Sequence, residues 1–168
     1  MIESYSKEWP EKFNREVENI KKVLGSEILE IQHIGSTAIP GLSAKPIIDI
    51  AVLVESIENI SHFVEQLEKL GYSYKPEMSS GERIFFRKGD PVEYHLSVAC
   101  PRHTYWERQI LFRDYLRTHP KYVKEYEDLK RGIVVGMSTD ELKDLSLSER
   151  YNSQKGPFIQ KILELAKQ

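Results

Sequence analysis

The chain has 168 residues, a formal net charge of −2 and 30% charged residues, with a pI near 6.2. That length suits one domain, 1–168, with a sizeable core, and the near-balanced charge argues against a dedicated nucleic-acid or membrane surface, which leaves a small molecule or a protein as the easier partner. A lone cysteine, Cys100, excludes an internal disulfide framework, and no N-terminal apolar segment resembles a signal peptide or membrane span, so a reducing, cytoplasmic setting is expected.

Ser6 precedes Trp9, Phe13, Val17, Ile20 and Leu24 at helical spacing, with Gly25 as the stop, which predicts an amphipathic helix. Apolar runs predict strands at 28–34 and 47–54, joined by a loop of small residues. A helix is expected from Ser56 to Leu70, closed by Gly71. Residues 83–88 and 92–99 flank Gly89-Asp90-Pro91 and read as a hairpin. Thr104-Tyr-Trp-Glu107 has the form of a capping box opening a helix to about Thr118. Pro120 can start the next helix, ending before Gly136. The segment from Leu147 reads helical, with a break expected at Gly156-Pro157. Trp106, Phe112, Tyr115, Tyr122 and Tyr126 are expected to pack helix on helix. A mixed sheet early and helices late give an α+β domain.

Chemistry is most legible between Ile31 and Val54. Gly35 and Ser36 end a strand with exposed backbone N–H groups and a hydroxyl suited to phosphate oxygens. Lys45 adds a point charge. Asp49 sits inside Ile-Ile-Asp-Ile, where an unpaired charge would be costly, so it should face a polar cleft or a metal. Glu93 and His95 would share a strand face, with a solvated sheet surface as the plainer reading. Arg83 and Arg87 would share another and could clamp an anion. Tyr151 and Lys155, i and i+4 on a helix, could close over the Gly-Ser loop. His33 reads first as a hydrogen-bonded structural histidine and second as a metal or acid–base group.

The run around Gly35, Ser36 and Asp49, together with Ile110–Pro120 and Tyr151–Ile159, resembles the GrpB family, placed within the nucleotidyltransferase superfamily. The resemblance implies a nucleotidyltransferase-like mixed sheet with flanking helices and a helical C-terminal part. It also implies Mg²⁺ or Mn²⁺ held by strand carboxylates, with Asp49 and Glu93 as ligands and Asp49, Glu93 and His95 as the catalytic set. The superfamily pattern places a second carboxylate two residues after the first, and Ala51 stands there instead. A second histidine of the family's strand pattern falls on Ser97. Two functions follow as expectations: binding of a nucleotide or other phosphorylated small molecule with metal-dependent nucleotidyl transfer, or a degenerate ligand-binding or regulatory module linked to coenzyme A or nucleotide metabolism. A third reading joins His33, Asp49 and His95 as one metal-binding set.

Overall fold

Apolar residues recurring from Trp9 to Leu24 build α1 (Glu8–Leu24), which ends at Gly25 with φ 54°. In the computed structural model, which describes residues 1–145 and 148–168, α1 lies on one face of a five-stranded sheet. Its strands are β1 (Ile28–Ile34), β2 (Ile48–Val54), β3 (Ser73–Tyr74), β4 (Arg83–Lys88) and β5 (Tyr94–Ala99), in the spatial order β1-β2-β5-β4-β3. β2 and β5 run parallel and the other neighbours antiparallel. Among the described residues no helix is long and apolar enough to cross a membrane.

Strand alternation divides the sheet into two unlike faces. Ile48, Ile50, Val52, Leu96, Val98, Ile84 and Phe86 form a dry core with α1 and α2 (Ile60–Glu68). Each fully buried Ile, Leu or Phe there contributes roughly 1.5–3 kcal/mol. Asp49, His95, Ser97, Phe85 and Arg83 point the other way, as the register Asp49↔His95, Ala51↔Ser97 and Phe85↔Ser97 requires. Facing them are α3 (Tyr105–Thr118), α4 (Pro120–Val135) and α6 (Glu149–Ala166), while the short α5 (Thr139–Lys143) bridges α4 and α6. Phe112, Tyr126 and Phe158 join the three long helices to Ile39 and Leu42 of the β1–β2 loop. Tyr126 stacks on Phe158 at 4.8 Å and meets Phe112 edge-on at 5.7 Å.

Several local expectations change. α2 starts at Ile60, not Ser56, because Asn59 caps it by accepting the His62 N–H. Thr104 makes no capping bond and donates its hydroxyl to Glu82 instead. α6 runs through Gly156-Pro157 without a break; Tyr151 on one side and Phe158, Ile162 and Leu163 on the other are buried, and that packing outweighs the hydrogen bond lost at proline. The expected start of this helix at Leu147 lies outside the described residues. The capping box that does form is Ser138–Glu141 on α5. Trp106 is half-buried and stays outside the aromatic cluster.

Candidate functional site

β1 ends at Ile34, and Gly35, with φ 72°, turns the chain into a single 3-10 turn over Ser36–Ala38. Glycine is required there for a second reason: a Cβ at Gly35 would collide with the Asp49 carboxylate on the neighbouring strand. The two strands thus bring the Ser36 hydroxyl and Asp49 together on the wall of a cavity of about 420 Å³.

Asp49 is held by His95 and remains partly open to the cavity, its side chain 33% exposed. Its Oδ1 accepts from His95 Nδ1 at 3.1 Å, and Oδ2 packs against Gly35. With Nδ1 spent on Asp49, His95 Nε2 is buried without a hydrogen-bond partner among the described residues. The His95 ring meets Phe85 edge-on at 5.2 Å. Among the described residues Asp49 is the one carboxylate in the cavity lining, whereas Lys45, Arg83, Lys130 and Lys155 also line it.

Lys130 of α4 is 2% exposed. Its Nζ donates to the Ser43 carbonyl at 2.6 Å and to Ser36 Oγ at 3.2 Å, and it lies 4.8 Å from the centre of the Tyr126 ring. Burial, reinforced by the Lys155 charge, lowers its pKa to about 7. Lys155 of α6 sits 4.1 Å from the Tyr151 ring centre, and burial lowers its pKa to about 8 against the opposing pull of Asp49. Lys45 is lowered by burial too. Burial pushes the Tyr151 phenol up to about 12 and keeps Tyr126 protonated more firmly still. Among the described residues, Lys45, Arg83, Lys130 and Lys155 make no ion pair. Arg83 instead donates to Ser97 Oγ at 3.0 Å and to the Tyr105 hydroxyl at 3.3 Å.

Of the residues singled out in the sequence, Gly35, Ser36, Lys45, Asp49, Arg83, His95, Tyr151 and Lys155 converge on this cavity. Glu93 does not. β5 begins only at Tyr94, and the Glu93 N–H closes the hairpin onto Lys88 O, so the expected alternation does not extend to it. Its side chain is 52% exposed and pairs with Lys12 of α1 at 3.4 Å. Arg87 shares its strand face with Arg83 but is held by Asp144 at 2.8 Å and lies outside the lining. His33 faces the opposite side of the sheet, stacked on Phe13 at 4.9 Å and bonded to Thr37 at 2.9 Å. Burial lowers its pKa to about 4, although Asp49 opposes the shift. The joint His33, Asp49 and His95 set is therefore not formed.

Lys130 was missed as a site residue, while Tyr126, beside it, was expected only for the helix packing it does make. A signal existed: Tyr126, Lys130 and Ile133 are spaced i, i+4 and i+7, the apolar stripe of α4, and all three are buried.

The donor set does not fit the two-ion arrangement expected from the resemblance. Hard cations of this kind want several oxygen donors from carboxylates or substrate. Here Glu93 is turned away, Ala51 is 0% exposed between its neighbours, and among the described residues no three His, Cys, Asp or Glu side chains come together.

The five-stranded mixed sheet with its helices has the architecture of nucleotidyltransferases: the Cid1 poly(U) polymerase bound to MgATP superposes with a TM-score of 0.52 at 15% identity, over 77% of this chain and 45% of that one. The chain belongs to the GrpB family, whose model, described as GrpB protein, matches residues 1–165. It is 32% identical to the glutamate-rich protein GrpB of Alkalihalophilus pseudofirmus, over 97% of this chain and 93% of that protein. The crystal structure of GrpB from Enterococcus faecalis superposes with a TM-score of 0.84 at 32% identity, over 99% and 96% of the two chains. Protein YqkA of Bacillus subtilis is 45% identical over 76% of this chain, which spans 37% of that protein's length. A dephospho-CoA kinase of Mycolicibacterium paratuberculosis is 31% identical over 74% of this chain and 37% of its own.

Proposed function

We propose that the chain binds a nucleotide or another phosphorylated small molecule against Gly35 and Ser36. One observation carries this reading: among the described residues, four cationic side chains and a serine hydroxyl line a cavity with one carboxylate, itself engaged by His95. Holding uncompensated cations out of water costs free energy, and an anion in the cavity would remove that cost. Phosphate oxygens also match the donors on offer, the lysine ammonium groups and the Ser36 hydroxyl that Lys130 holds in place.

Nucleotidyl transfer through two carboxylate-held ions would need a second acidic side chain in the cavity, so binding is favoured over transfer. The partial alignment with a dephospho-CoA kinase makes coenzyme A precursors worth including beside nucleotides as ligands. A thermal-shift and calorimetry screen of nucleoside phosphates and coenzyme A precursors, with Lys130→Met as control, tests the reading. Stabilisation of the native chain and none of the variant is expected. No response to any phosphate-bearing compound would sink it.

A further inference from the structure

We propose that this cavity takes its phosphate-bearing ligand free of metal, with the ammonium groups of Lys130, Lys155 and Lys45 standing where a bound cation would otherwise neutralise the phosphate. The inference rests on the phosphate-binding reading and goes further, because a nucleotidyltransferase-like fold leads one to expect a metal complex as the ligand.

The carboxylate comes first. A metal bridging protein and phosphate needs free carboxylate oxygens directed at the ligand. Among the described residues lining the cavity Asp49 alone offers any: Oδ1 already accepts from His95, position 51 is an alanine, and Glu93 is turned toward Lys12, so a metal would find one partly engaged carboxylate where it needs several oxygen donors. The role of Asp49 is that of an internal counter-charge, holding His95 and offsetting the charge of Lys155.

The cations are the second part. Lys130 is tied in place through the Ser43 carbonyl and Ser36 Oγ, so its charge is preorganised beside the hydroxyl. Lys155 has no hydrogen-bond partner among the described residues, and it borders both the main cavity and an adjoining one of about 310 Å³ lined by Phe112, Ile159 and Leu163. The lysines come from three separate segments: the β1–β2 loop, α4 and α6. A phosphate group carries about 1.5 to 2 negative charges near neutral pH, so a single bound phosphate leaves no surplus anionic charge for a divalent ion to neutralise. Such an ion would also have to approach against the lysine charges.

Calorimetry of the full chain with inorganic pyrophosphate, inorganic phosphate and ADP, each in EDTA and again in excess Mg²⁺, tests this. Binding in EDTA is expected, with affinity lowered several-fold by Mg²⁺ because the metal competes for the ligand. Lys155→Gln should weaken binding in EDTA by about tenfold, the usual scale for one charge-assisted contact. Asp49→Asn keeps an oxygen for His95 and removes a negative charge from the cavity wall, so it should tighten binding in EDTA a few-fold. Binding seen only with Mg²⁺, or abolished by Asp49→Asn in a variant whose melting temperature is unchanged, overturns the metal-free site and leaves the phosphate reading standing. Failure of all three ligands under both conditions overturns both.

Discussion

Two lysines on opposite faces of the sheet differ in how their charge is met. Lys88, on the α1 face, donates to Glu16 at 2.8 Å; Glu16 also accepts from the Tyr72 hydroxyl at 2.9 Å, and the Tyr72 and Tyr94 rings flank the ammonium. Lys130, on the other face, is more deeply buried and has a carbonyl, a hydroxyl and a ring, but no carboxylate among the described residues. A fold that can supply a buried counter-charge on one face has left it out on the other. The pair on the α1 face is structural, and the uncompensated charge on the other is where the proposed ligand would complete the electrostatics.

Exchanging each lysine for methionine should separate the two roles. Lys88→Met strands Glu16, whose side chain is 4% exposed, beside one remaining strong donor. Breaking a buried pair costs about 3–5 kcal/mol, and the 24% exposure of the Lys88 side chain brings the expectation to about 2–3 kcal/mol of lost stability in urea unfolding. Lys130→Met strands no charge and removes one whose protonated form burial disfavours, so near pH 7 its stability should equal or exceed that of the parent while anion binding is lost. Comparable destabilisation by both substitutions would erase the distinction.

A third buried group is kept neutral instead of paired. His33 keeps its uncharged form because burial lowers its pKa from 6.5 to about 4. Between those values the unfolded chain takes up a proton that the folded chain does not, so stability falls as pH drops through the window. The full loss, reached near pH 4, is about 3 kcal/mol. His33→Gln can still donate to Thr37 and should flatten this slope over pH 6.5 to 4. A variant whose acid profile matches the parent would assign the loss to other groups.

The sequence made the strands and the Gly-Ser turn legible because each rests on a short-range rule. β1 spans the run from Ile28 to Ile34 as expected, and β2 begins one residue later than its run. Gly35 and Asp49 were recognisable because a turn and a mid-strand charge are both locally unusual. What failed was the extrapolation of phase: Glu93 lies in the hairpin turn, where the period of two no longer holds, so its side chain reaches α1 instead of the cavity. Lys130 was obscured for the opposite reason. A lysine in an amphipathic helix normally extends along the surface to water, and only the packing of α4 against the Gly-Ser loop makes this one interior.

The most specific expectation concerns two slopes of opposite sign from Lys130. In the ligand-free chain its pKa is lowered from 10.5 to about 7, so between those values the unfolded state binds more protons and stability should rise with pH. Anion binding should run the other way. A bound anion favours the protonated lysines, and affinity should therefore decline as pH climbs past 7 and 8, the values near which Lys130 and Lys155 titrate, by up to about tenfold per unit for each lysine. Sulfate, whose charge does not change across this range, should be titrated beside pyrophosphate so that ligand ionisation does not mask the trend. Lys130→Met should flatten the stability slope and shrink the affinity slope to the share left to Lys155. Sulfate affinity that is level or rising over this range would mean that the lysine charges do not face the ligand.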